Sequence, residues 1–302
     1  MTSTANARGA LFMAIAMAAF TCNDALVKSV TGDLNTGQIL FVRGLMTTVL
    51  VVVIARWMGA LGSFRIVLQP VVALRIAAEI LASLAYVSAL GAMPLANTAS
   101  ILQALPLAVT LGAAVFLGEK VGWRRWLAIV AGFAGVLIVI RPGPEGFSLA
   151  AVYVIVSVVG AAARDLCTRR IDTAVPSLCI SVITAVSITL AGAVMIVPMG
   201  GWQPIPGEAL GRLAGASVLL LVGYQTIVIA MRTGEISFIA PFRYTSLIWA
   251  ITIGVLFFGE VPDFWMTVGV AIIVASGLYT FYRENRRRDV GAVAQESKPE
   301  SP

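Results

Sequence analysis

GEKVGWRR at 118–125 and GEVPDFW at 259–265 decide how this chain folds. Each places a glycine and a glutamate directly after a long apolar run, and Gly259 lies 141 positions after Gly118. The same offset of 141 carries FTCNDALVK at 20–28 onto AAARDLCTR at 161–169, with Asp24 on Asp165 and Lys28 on Arg169. Two acidic landmarks agree at one offset without gaps, and each aspartate is followed one helical turn later by a base. The chain reads as two homologous halves.

Composition sets the medium. Of the 302 residues, 59% are hydrophobic and 12% charged, with a mean hydropathy of +0.93. A soluble domain carries about 25% charged residues, and no water-soluble core could hide this much apolar surface. A bilayer-spanning helix needs about 20 mostly apolar residues. Such runs are expected near 9–29, 37–56, 70–91, 95–117, 124–141, 148–168, 175–197, 212–231, 236–258 and 264–282. The expected fold class is an all-α integral membrane protein with ten transmembrane helices. Five helices per half is an odd number, so the second half enters the membrane from the opposite face. Inverted repeats of this kind hold their substrate site near the midplane. The expected organisation is a cytoplasmic segment 1–8, a first five-helix repeat 9–141, a second 148–283, and a polar, disordered tail 284–302. The two corners agree: GEKVGWRR is basic and GEVPDFW acidic, one corner recoded for opposite faces.

Arg8, Arg56, Arg65, Lys120, Arg124, Arg125, Arg169, Arg170, Arg232, Arg283, Arg286, Arg287 and Arg288 fall on one side of this topology. Only Lys28, Arg141 and Arg212 fall on the other. Cytoplasmic loops carry the excess of bases, so both termini are expected in the cytoplasm. The net charge of +6 then records orientation, not an affinity for nucleic acid. The chain has no histidine, and its three cysteines, Cys22, Cys167 and Cys179, form no CxxC pair. It has no GxxxxGK[ST] loop and no HExxH. No catalytic residue, metal site, cofactor or disulfide framework is expected. MTSTANAR and the apolar run behind it read as a first helix, not a cleavable signal.

The segments PLANTASILQALPLAVTLGAAVFLGEKVGWRRWLAIVAGFAGVLIVIRPG at 94–143 and APFRYTSLIWAITIGVLFFGEVPDFW at 240–265 resemble the EamA-type branch of the drug/metabolite transporter superfamily. The resemblance extends over about 9–283. It implies a secondary carrier of a small organic substrate in the bacterial inner membrane, with no ATPase subunit. More narrowly, FTCNDALVK with LNTGQILFVRG at 34–44 resembles the subgroup that includes a riboflavin carrier. That resemblance implies riboflavin uptake. Export of amino acids or drug-like metabolites is the alternative, and a non-transporting membrane scaffold or receptor is the alternative of another class.

Ionisable groups inside a span are costly and mark functional candidates. Asp24 and Asp165 are candidates for coupling or gating; the bland reading of Asp24 is a local pair with Lys28, four residues on. Arg75 and Glu79 have the same spacing on the third helix. Glu79 is either a protonatable coupling group or the neutralised half of an Arg–Glu pair. Arg43 is a candidate substrate contact within reach of Asp24; its counterpart at 184 is threonine, so the symmetry breaks there. Asn97, Ser100 and Gln103 follow at three-residue spacing before Pro106. Arg243 and Tyr244 occupy the matching region after Pro241, and Tyr224 with Gln225 extends the polar lining. Of these, Asn97, Gln103, Tyr224, Arg243 and Tyr244 join Arg43 as candidate substrate contacts, with interhelical hydrogen bonding the bland alternative. Trp249 could stack on a planar ligand or simply pack. Gly118, Glu119, Gly259 and Glu260 read as structural: a left-handed glycine ends the helix, and the carboxylate accepts from amides opening the next one. Small-residue spacings at Ala128–Gly132, Ala131–Gly135 and Ala271–Ala275 would permit close helix packing or a homodimer contact.

Overall fold

In a bilayer every backbone polar group must be satisfied within the protein, so long apolar segments become helices. The computed structural model has 10 helices long and apolar enough to cross a membrane. It describes residues 3–59, 69–119, 121–143, 147–171, 177–233 and 235–296. The first three spans are α1 (Ser3–Lys28), α2 (Thr36–Trp57) and α3 (Pro70–Ala92). The fourth is broken into α4 (Leu95–Leu102) and α5 (Leu105–Phe116), and α6 (Trp123–Ile140) closes the first half. The second half repeats the order with α7 (Leu149–Thr168), α8 (Ser177–Ile196) and α9 (Gly207–Thr233). Its broken span is α10 (Ile236–Ile239), a 3₁₀ turn (Ala240–Tyr244) and α11 (Thr245–Phe258), followed by α12 (Phe264–Glu296).

The breaks have a local cause. Pro106 has no amide hydrogen to close the bond to the carbonyl four residues before it, and Pro241 likewise sits in the 3₁₀ turn. The two helix-ending glycines behave alike. Gly118 and Gly259 have φ of +67° and +66°. The next amides, of Glu119 and Glu260, reach back to Ala113 and Gly254 at 3.2 and 2.9 Å, closing the helix ends.

Pairing between helices follows the repeat. α1 packs on α9 and α3 on α7, an exchange-related couple; α2 packs on α8 and α6 on α12, each a helix against its own counterpart. Close approach at these crossings needs glycine. A Cβ at Gly192 would enter the backbone of α2, and one at Gly135 would meet the Gly269 carbonyl of α12. The small-residue face of α6 is thus used for packing within the chain, where a contact between copies was also open from sequence.

Three expectations need adjustment. α1 starts at Ser3, so most of 1–8 continues the first helix, which Ala and Arg favour. α12 runs to Glu296, through much of the expected tail, because no proline stops it; 297–302 lie outside the described residues. Glu260 does not cap the following helix. Asp263 does, accepting the Met266 amide at 2.8 Å, and that bond holds its carboxyl below the usual aspartate range.

Candidate functional site

Six elements bring polar side chains into one layer across the bundle. Asp24, near the end of α1, accepts the Tyr86 hydroxyl of α3 at 2.7 Å and the Asn23 amide at 2.9 Å. Arg43 of α2 donates to the Asn23 carbonyl oxygen at 3.2 Å and faces Asp24, Tyr86 and Tyr224 at longer range. Asn23 therefore relays Arg43 to Asp24, which has no direct ion pair among the described residues. The expected Asp24–Lys28 pair does not form. Lys28 turns instead to Glu260 and to carbonyls that the end of α3 leaves without helical partners.

The counterpart in the second half is built differently. Arg164 of α7 donates to its neighbour Asp165 at 2.8 Å and to both Glu79 oxygens at 3.2 and 3.3 Å. Arg75 is not Glu79's ion-pair partner, although one turn separates them. It donates to Thr168 at 2.9 Å and to Thr184 at 2.6 Å, across the α3–α7 and α3–α8 contacts. A guanidinium on the facing helix can meet a carboxylate head-on, whereas two side chains on one helix lie side by side and face outward together.

Tyr224 of α9 stands between the two clusters, within electrostatic range of Glu79, Arg164, Arg43 and Arg75. It is 52% exposed despite that central setting, so its ring borders open space; its other face meets Phe20 edge-on at 5.3 Å. Arg243, on the 3₁₀ turn, lies in range of Asp165 and Arg164. Among the described residues no hydrogen bond or ion pair engages its guanidinium. Asn97 on α4 is half-buried and likewise unengaged.

Two other candidates are directed elsewhere. Gln103 donates to Ser246 at 2.5 Å and to the Arg243 carbonyl at 3.2 Å, tying the two broken spans together. Tyr244 is buried and its hydroxyl has no partner among the described residues. It points at Gly277 of α12, where a Cβ would collide with it. The 3₁₀ turn sends Arg243 and Tyr244 to different sides, which aligned numbering cannot show. Asn23, Tyr86 and Arg164 were not singled out as site residues from sequence. Tyr86 lies two turns beyond Glu79 on α3, and that heptad spacing was the available signal.

An apolar cavity of about 780 Å³ lies elsewhere, among Leu74, Leu111, Phe116, Phe133, Val159 and Leu166. It holds no part of the polar layer. Among the described residues the layer sets Arg43, Arg75, Arg164 and Arg243 against Asp24, Glu79 and Asp165, an excess of one positive charge. Such a layer favours a substrate with an anionic or electron-rich edge.

The model of the EamA-like transporter family matches residues 7–141 and again 148–282. The chain belongs to the EamA-like transporter family. It is similar to a riboflavin transporter of Rhizobium johnstonii, 30% identical over 210 residues that span 67% of each chain. A riboflavin transporter of Vibrio cholerae is 28% identical over 196 residues, 65% of each chain. The pseudopaline exporter CntI of Pseudomonas aeruginosa is 26% identical over 278 residues, 89% of this chain and 94% of its own. A solved crystal structure covers 95% of this chain and 99% of its own with a TM-score of 0.64 at 17% identity, a likeness of fold. This EamA-family chain is a multi-pass membrane protein, and its named relatives are transporters.

Proposed function

We propose that this EamA-family protein is a secondary carrier that takes up a riboflavin-like metabolite across the bacterial inner membrane, with both termini in the cytoplasm. The observation that carries the reading is the unengaged Arg243 guanidinium in a polar layer with one excess positive charge. A flavin ring offers carbonyl and imide edges to such a donor and a flat face to Tyr224. The similarity to two riboflavin transporters supports the same substrate. The bias of bases towards the Arg8 side supports the orientation. Asn97 and Arg43 complete the proposed contacts, and Asp24 is the proposed coupling carboxylate because it lacks a direct ion pair. Glu79, neutralised by Arg164, takes a structural role in this reading. Expression in a riboflavin auxotroph on limiting vitamin tests it: growth is the expected result. No growth from a well-expressed protein would remove riboflavin. Export of a polar metabolite is the second reading, favoured by the longer alignment with CntI. Efflux from loaded proteoliposomes with no uptake in cells would establish it.

A further inference from the structure

The repeat relates two ion pairs that no alignment of one half alone would connect. Lys28 pairs with Glu260 and Arg169 with Glu119, and the offset of 141 converts one pair into the other. Each joins the last turn of a half's first span to the corner after the other half's broken span. They lie at opposite ends of the bundle, and they are in different states.

At the first end the pair is tight. Lys28 and Glu260 meet at 3.0 Å with side chains only 11% and 17% exposed. The ammonium also donates to the Leu90 and Met93 carbonyls at 3.0 and 2.6 Å and sits over the Phe258 ring. The second Glu260 oxygen accepts the Leu95 amide at 2.7 Å. The cation thus lies at the C-terminal end of α3 and the anion at the start of α4, each at the dipole end that favours it. Behind them Val27, Val30, Leu34, Leu90, Leu95 and Leu213 form one buried cluster. The α8–α9 loop seals the same end, with Gln38 exchanging two hydrogen bonds with the Gln203 backbone at 2.7 and 3.0 Å. At the other end Arg169 and Glu119 meet at 3.4 Å with 52% and 48% of their side chains exposed.

We propose that these four residues form two alternating latches, one per end of the carrier, with the Lys28–Glu260 latch shut and the Arg169–Glu119 latch open in this structure. The proposal rests on the carrier reading and extends it to the gating step. Exchange of the two halves' conformations would draw Arg169 and Glu119 onto the α9–α10 junction while Lys28 and Glu260 pass into the looser, half-exposed pairing that Arg169 and Glu119 show here. Each pair would have a sheltered and a hydrated state. On this view Glu119 and Glu260 are gating residues as well as helix-end residues.

The test reads access, not transport. Ser246→Cys is introduced in a background lacking Cys22, Cys167 and Cys179, and labelled with a membrane-impermeant thiol reagent in vesicles of each orientation. Labelling of the parent is expected to be slower in vesicles presenting the Lys28 end. Glu260→Gln keeps an acceptor for the Leu95 amide but loses the ion pair, and is expected to raise labelling from that end at least about fivefold. Lys28→Arg, which keeps the cation and its donors, is expected to stay near the parent rate, and Glu119→Gln to leave it no higher than the parent. Unchanged labelling in Glu260→Gln would overturn the latch. The readout needs no substrate. A labelling pattern that shifts as expected in a protein that moves no tested metabolite upholds the latch and fails the substrate reading alone. Flavin flux with an unmoved pattern fails the latch alone.

Discussion

Asp24 and Asp165 occupy the same place in the two halves, yet their surroundings are built on different plans. Asp24, Asn23, Arg43 and Tyr86 all come from the first half, so that cluster closes on itself. Asp165 shares Arg164 with Glu79 from the other half, and Arg75 reaches Thr168 and Thr184 from the same side of the divide. One cluster is internal to a half and the other stitches the halves together. A carrier whose halves exchange conformations can move the first as a unit but must rearrange the second. Identical backbone corners have thus been given unequal electrostatic duties.

The largest expected effect tests the stitching. Arg164→Ala would leave Glu79 and Asp165 without their direct ion-pair partner, with only Arg75 and Arg243 at longer range. Breaking a buried pair costs about 3–5 kcal/mol, and partial exposure of Asp165 puts this case near about 3. A matching fall in detergent melting stability is expected, with partial recovery when Glu79→Gln is added. A single variant as stable as the parent would break the comparison. Next, Arg243→Gln removes a charge that no described residue engages. It should raise the substrate KM roughly tenfold or more, since a hydrogen bond to a charged group is worth about 1.5–3 kcal/mol, and leave melting unchanged. A fall in stability without a KM change would place Arg243 in the scaffold. Tyr86→Phe probes the self-contained cluster: one interhelical hydrogen bond inside a membrane is worth about 0.6 kcal/mol. A small melting shift is expected, and a loss as large as that of Arg164→Ala would show that both clusters hold the halves. Smallest of all, Tyr244→Phe removes a buried hydroxyl without a partner. Transport should be unaffected and stability equal or up to about 1 kcal/mol higher; lost flux would return Tyr244 to the substrate path.

Much of the polar layer was legible because burying charge is expensive, so Asp24, Arg43, Glu79 and Asp165 stand out inside apolar runs. Their partners were not. Lys28 with Asp24 and Arg75 with Glu79 are the pairs that helical spacing offers, and both are replaced by longer-range ones. A local pair gains about 0.2–0.5 kcal/mol. A cation meeting helix-end carbonyls and the Glu260 carboxylate gains several charge-assisted bonds where both side chains are largely buried. Tyr244 shows the same limit from another side: numbering aligned it with Gln103, while the 3₁₀ turn pointed its ring at α12.

Periodicity and the 141-residue offset by themselves determined the ten spans, the two halves, their opposed insertion and the helix-ending corners at Gly118 and Gly259. These follow from chain-local physics: hydrocarbon forces backbone self-satisfaction, and glycine alone enters left-handed conformations without strain. The tertiary structure decided which charges meet and which candidates are left unengaged. Those outcomes depend on contacts between residues far apart in sequence.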